Sequence, residues 1–292
     1  MVTPHIDAQA GQGTVFLRTY CQQAVCNPSR ASLLTGLRPD STGIYDLKTH
    51  FRYYRPDVIT LPQYFKQNGY HTQGLSKIFH GGLDDPQSWS EPHWAPRAST
   101  YLGKDILAQL EEDTEAAEAR GQVLKNYPLL TDPETGTVFL RSSRIAVHGP
   151  IWEGPDCPDN QLGDGKTADK AVELLNEYKH KNRPFFLSVG FIRPHLPFVA
   201  PKKYFDLYPP ESIPLADNQS VPDGAPDCAF SSHEEPRVYI DAQVGRLIGE
   251  LDRLGMRENT VICLWGDHGW HLGENSVWGK MTNFEEAAHA LG

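Results

Sequence analysis

The sequence predicts an α/β fold, a mostly parallel sheet with helices on both faces. Two observations carry this. First, a helical segment is followed by a short strand-like run three times, apolar in the second and third. The pairs are Leu61–Asn68 with Tyr70–Ser76, Thr167–His180 with Phe185–Gly190, and Val238–Leu254 with Asn259–Gly266. Strands covered on both faces read as unbroken apolar runs, and an intervening helix permits parallel pairing. Second, each run is followed by charged or imidazole residues: Lys77 and His80, Arg193 and His195, Asp267 and His268. Ligands of open parallel sheets bind beyond the carboxyl ends of the strands. The three exits therefore predict one shared rim.

Taken in order, Thr14–Tyr20 (TVFLRTY) predicts a short strand, and Ser29–Leu37 a helix with Pro28 at its start. Gly69 follows Leu61–Asn68 where a helix end favours glycine. From about 84 to 165 the chain is weakly periodic and rich in Pro, Gly, Trp and acidic residues. It reads as a loop-rich insertion over one edge, with Glu111–Arg120 its helical part. In Thr167–His180, Ala171, Leu174, Leu175 and Tyr178 recur three or four residues apart. Ile240, Val244, Leu247, Ile248, Leu251 and Leu254 make the same kind of stripe in Val238–Leu254. No internal repeat or low-complexity tract interrupts the pattern, so residues 1–292 read as one domain.

The bulk numbers exclude some functions. The 292 residues are 39% hydrophobic and 22% charged, ordinary for a globular protein. A net charge of −10 argues against a nucleic-acid surface. No apolar run has the length of a membrane-spanning helix, and Met1–Asp7 lacks the features of a signal peptide. The spacings of Cys21, Cys26, Cys157, Cys228 and Cys263 match no zinc pattern, and they leave the cellular compartment open.

The stretch AVCNPSRASLLTG (24–36) sets Cys26 at a helix start, with Arg30 four residues on along the same face. A helix N-terminus acidifies a thiol and welcomes an anion. A buried structural cysteine beside a surface arginine has the same spacing. Lys77 alone reads as solvated, His80 and His195 alone as loop or core histidines, and Asp267-His268-Gly269 alone as a turn. Trp270 and Trp278 read as packing residues. The joint pattern shifts the balance towards chemistry.

Cys26-x-Pro-Ser-Arg-x-Ser-x-Leu-Thr-Gly resembles the signature of the formylglycine-dependent sulfatases. Thr3-Pro-His-Ile-Asp7, Gly74–His80, Arg193–Phe198 and Gly266–Glu274 resemble further segments of that family in order and type, nearest its iduronate-2-sulfatase-like branch. The resemblance implies an alkaline-phosphatase-like α/β/α sandwich. It implies that Cys26, converted to formylglycine, is nucleophile and metal ligand, and that Arg30 holds the hydrated aldehyde. Lys77, His195 and Lys280 would grip sulfate, and His80 would orient or deprotonate the nucleophile. Asp267 and His268 would help to hold one Ca2+. The implied partners are a sulfated carbohydrate and a formylglycine-generating maturase, with no nucleic acid and no membrane span. A periplasmic, secreted or lysosome-like location is implied likewise.

The family's first strand ends in two adjacent metal-binding aspartates, and no counterpart stands here. Asp84-Asp85 lies in a Gly- and Pro-rich loop and reads as a loop feature. The small C-terminal subdomain has no counterpart either. The expectation is weak calcium binding and little turnover by this chain alone. A phosphate mono- or diester hydrolase of the same superfamily, and an inactive fragment or pseudo-enzyme, are the alternatives.

Overall fold

The computed structural model describes residues 2–122, 129–141, 147–181, 183–221, 223–224 and 239–290. Cys228 and Val238 lie outside the described residues. In chain order the main elements are α1 (Pro4–Gly11), α2 (Cys26–Thr35), α3 (Pro39–Thr42) and α4 (Leu61–Gln67), then β1 (His71–Ser76). Next come α5 (Lys104–Ala119), β2 (Leu129–Thr131), β3 (Val138–Arg141), β4 (Trp152–Glu153) and α6 (Gly163–Lys179). The rest are β5 (Phe185–Gly190), β6 (Phe198–Val199), α7 (Lys202–Phe205), α8 (Tyr239–Arg253), β7 (His271–Leu272), β8 (Trp278–Gly279) and α9 (Glu285–Ala288).

At the centre β1 and β5 run parallel, with His71 opposite Phe185 and Ser76 opposite Gly190. Both strands therefore end at the same rim. Alternate side chains point to opposite faces of a strand. Phe185, Leu187 and Val189 pack with Leu75 against Ala171, Leu174 and Tyr178 of α6. Phe186 stacks instead on Phe65 of α4, with ring centroids 4.5 Å apart. The expected two-faced arrangement is thus present at this pair. A second core beneath α2 joins Ala31, Leu34, Ile44, Phe51, Ile78, Phe79 and Trp89. Trp89 lies flat on β1 at Gly74, where an added Cβ would fall 2.6 Å from the indole.

Local chemistry explains the helix ends. Thr60 and Gln63 form a reciprocal capping box at the start of α4, and Gly69 follows it in the left-handed region at φ +87°. Gly36 closes α2 at φ +70°, its N–H donating to Ser32 O at 2.9 Å. α2 begins at Cys26, three residues before the sequence expectation, and the cysteine itself occupies the first turn.

Two expected strands do not form. Thr14–Tyr20 is irregular, makes a single bridge from Tyr20 to His289, and leaves Phe16 63% and Leu17 72% exposed. The apolar run 259–266 forms no ladder, and Val261 is 91% exposed. The physical reason is common to both: no described strand runs alongside to receive their backbone hydrogen bonds. Among the described residues the parallel ladders are β1–β5 and the short β4–β6, with one isolated parallel bridge between Leu75 and Trp94. The region 84–165 also holds more structure than expected. α5 starts at Lys104, because Ile106 and Leu110 pack on the cluster around Tyr101, Leu162, Val199 and Tyr239. β2 and β3 add an antiparallel hairpin.

The Asp84-Asp85 pair is a loop device, as its setting suggested. Asp85 is fully buried and takes Arg52 Nε at 2.5 Å and Nη2 at 2.9 Å. Arg52 also donates to Pro56 O, Val58 O and Gln63 Oε1. Removing one partner of such a pair strands a buried charge. Asp85→Ala should cost about 3 kcal/mol or more by urea unfolding. A loss below about 1 kcal/mol, the range of an exposed pair, would contradict this role.

Candidate active site

The site is built where α2 begins and β1 and β5 end. Cys26 is 2% exposed, yet its surroundings are polar. Its Sγ lies 3.2 Å from Lys280 Nζ, 3.4 Å from His268 Nε2 and 3.6 Å from Lys77 Nζ. His80 hydrogen-bonds the same thiol. A structural cysteine sits among apolar neighbours, and this one does not.

Backbone fit delivers these groups. Lys77 leaves β1 directly, its N–H donating to Gly190 O at 3.2 Å. Gly190 must be glycine, since a Cβ there would fall 2.2 Å from Lys77 O. Asp267 and His268 follow the extended run 260–266. Gly269 then presses on α9, where a Cβ would meet Glu286 O at 2.0 Å. Lys280 follows β8, its ammonium 5.2 Å from the centre of the Trp270 ring. Trp270 is itself a buried packing residue, in keeping with its expected role.

Arg30 is placed differently from its spacing to Cys26. Its Nε donates to Asp267 Oδ2 at 2.9 Å. Its Nη1 donates to Ile78 O at 2.9 Å and to Lys77 O. Ser29 Oγ donates to Asp267 O. A nearby carboxylate and two carbonyls outcompete the thiol for the guanidinium.

His195 stands on the loop after β5 and its Nδ1 donates to Leu196 O at 2.8 Å. Burial, then the charges of Lys77 and Lys280, lower it to about 4, so the ring is neutral at pH 7. Asp164 was missed in the sequence. It is buried and accepts from Ile192 N at 2.8 Å and Arg193 N at 3.0 Å, pinning the His195 loop to α6. The Gly163-Asp164-Gly165 run at the start of α6 is the signal that could have found it.

The electrostatics follow from this crowding. Burial alone would push the Cys26 thiol up. Its bonds with His268 and His80, and the Lys77 charge, instead bring it down to about 3. Burial also pushes Asp267 up, but Arg30, His268, Lys77 and Lys280 hold it well below the usual carboxylate range. Burial lowers Lys77, partly offset by Cys26. Cys26, Asp267 and His268 could hold a metal, because donor atoms of all three lie within 4.8 Å of one another. Cys26, Lys77, His80, His268 and Lys280 meet at this centre, with Arg30 bound to Asp267 beside it. The Thr3–Asp7 segment lies apart, its His5 and Ile6 N–H groups donating to Asp241 of α8.

Residues 1–290 match the family model described as Sulfatase. Iduronate 2-sulfatase of Homo sapiens is 34% identical over 98% of this chain and 54% of its own length. A protein named Sulfatase from Formosa agariphila is 31% identical over 99% of this chain and 58% of its own. The chain thus spans about half the length of the curated relatives it matches. Among solved structures, one described as bound to its substrate D-glucosamine-2-N,6-O-disulfate superposes with a TM-score of 0.65. It is 20% identical, over 99% of this chain and 65% of that one. This likeness and others like it show the alkaline-phosphatase-like fold.

With Cys26 unmodified, the thiolate should persist down to a pH of about 3, read from its ultraviolet absorbance. Because the folded pKa is depressed, the thiolate's contribution to stability is full above the unfolded thiol pKa. It is lost as pH falls through about 3. His268→Ala should move the titration upward. A titration near the ordinary value of 9.0 would contradict the arrangement.

Proposed function

The chain belongs to the sulfatase family, and on that premise we propose that it carries the reaction centre of a sulfuric ester hydrolase for sulfated sugars. The observation that carries the reading is a buried Cys26 ringed by Lys77, Lys280, His80 and His268. The surroundings fit a hydrated aldehyde at this position, because hydroxyls replacing the sulfur would meet hydrogen-bonding groups on several sides. Formylglycine, made from Cys26 by a maturase, supplies the nucleophile when it is present.

The chain's own residues do the rest. Lys77 and Lys280 bring two ammonium groups to the point where a sulfate would sit. Fixed positive charge in a buried site stabilises charge that develops as an ester bond breaks. His80 and His268 orient whatever stands at residue 26. His195 is kept neutral partly by the two lysines. An arriving sulfate oxyanion offsets those charges, so the ring can take up a proton and donate to sulfate. Arg30 acts through Asp267 and the Lys77 carbonyl, fixing the positions of both.

The implied calcium is a separate matter. Calcium takes six to eight oxygen ligands. Among the described residues Asp267 is the one carboxylate of the cluster, beside an imidazole and a sulfur. These donors alone do not fit calcium. The sugar class is supported by the relatives, among them the disulfated glucosamine bound in one solved neighbour.

The test compares aryl sulfate with aryl phosphate, using chain co-expressed with a formylglycine-generating maturase. Sulfate should be the preferred substrate, and Lys280→Met and Lys77→Met should each lower kcat by about 10²-fold. A ratio is read, so a low absolute rate suffices. Preference for phosphate would favour the esterase alternative, and rates indifferent to both lysines would sink the assignment.

A further inference from the structure

We infer that His93 is a positioning residue for the proposed reaction: it holds the backbone turn at Ser76 that aims Lys77 at residue 26. Among the described residues other than glycine, Ser76, Asn275, Ser276 and Met281 have positive φ. Two of these adjoin the lysines of the centre, Ser76 before Lys77 and Met281 after Lys280. A residue with a side chain adopts that region at a cost, and stays there only where its neighbours hold it. Met281 is held through its N–H, which donates to Ala24 O at 3.0 Å. Ser76, at φ +58°, is the last residue of β1, and its holder is His93.

The turn decides where Lys77 goes. Leu75 packs against α6, and unbroken alternation along the strand would send Lys77 to that same face. The left-handed residue between them breaks the alternation, and the ammonium reaches Cys26 at the start of α2. Neighbours in the loop after β1 claim both backbone groups of Ser76. Its N–H donates to Trp94 O at 2.7 Å, and its carbonyl accepts from His93 Nε2 at 2.7 Å. A carbonyl only accepts, so Nε2 carries the hydrogen. The imidazole is itself fixed in place. Its Nδ1 faces Asp84 Oδ2 at 4.0 Å, while Asp84 Oδ1 accepts from Trp89 Nε1 at 3.1 Å. The Trp89 indole stacks on the His93 ring at an interplanar angle of 25°. Asp84, Trp89 and His93 thus clamp the end of β1, and His93 acts on the reaction only through the backbone that carries Lys77.

The role of Lys77 comes from the proposed reaction, so one arm of the experiment involves no ester. In that arm, hydrogen exchange of the peptide spanning residues 71–80 is followed by mass spectrometry. His93→Ala should speed the slowest amides of that peptide about 10-fold. Adding Ser76→Gly should restore them, because glycine takes a positive φ without the cost. In the second arm, chain co-expressed with the maturase hydrolyses aryl sulfate. His93→Ala should lower kcat about 10-fold and leave KM little changed. His93→Gln keeps a donor of the same reach and should recover most of the rate. In a Lys77→Met chain, His93→Ala should cost nothing further. If His93→Ala does not fold, it is made together with Ser76→Gly, which should fold. Failure of that chain too would overturn the inference. So would unchanged exchange, or a loss of kcat equally large in the Lys77→Met chain. If the unaltered chain turns over no sulfate, the failure belongs to the proposed reaction, and the exchange arm decides alone.

Discussion

The contact on which the site depends is the pairing of Arg30 with Asp267. One guanidinium joins three parts of the chain that are far apart in sequence. It rises from α2, grips the carboxylate after the run 260–266, and holds the carbonyls of Lys77 and Ile78 at the exit of β1. Arg30 is almost fully buried, so the pair is desolvated and its geometry is confined. Such a pair is a poor source of net stability, but breaking it leaves an uncompensated charge. Its worth lies in register: Arg30 ties the helix that begins at Cys26 to Asp267 and to the Lys77 carbonyl.

A second constraint is the excess of positive charge at the rim. The chain as a whole carries −10, yet Arg30, Lys77 and Lys280 crowd one buried centre. Low dielectric strengthens every interaction there. Against the cost of burial, bonds with His268 and His80 and the Lys77 charge lower the thiol to about 3, while burial and the two lysine charges keep His195 neutral, so the centre is prepared for a compact anion before one arrives.

Much of the centre was legible in the sequence. β5 (FFLSVG) stood out because a parallel strand covered on both faces is largely apolar, β1 (HTQGLS) stood out by its place just after a helix and Gly69, and the rim residues followed both. Cys26 was legible because a helix start, a proline and an arginine one turn on form a local pattern. What was not legible depends on distant partners. The run 259–266 has a strand's composition, but a strand needs a neighbour, and none of the described residues supplies one. Arg30 was read against Cys26, four residues away, because nothing local announces a carboxylate 237 positions on. Asp164 was passed over for the same reason, since its partners are backbone groups beyond β5. The Cys26–Asp267–His268 cluster matches no spacing rule, because its sulfur comes from the far end of the chain, and it was legible only through the family resemblance.

The central claim is that residue 26 is a reaction position and not a packing thiol. The most direct measurement is the mass of the Cys26 peptide after co-expression with a formylglycine-generating maturase. The expected result is a mass change equal to loss of hydrogen sulfide and gain of one oxygen atom, confined to that peptide and trapped by a hydrazine reagent. An intact thiol in every molecule, with the maturase active on a control peptide, would contradict it.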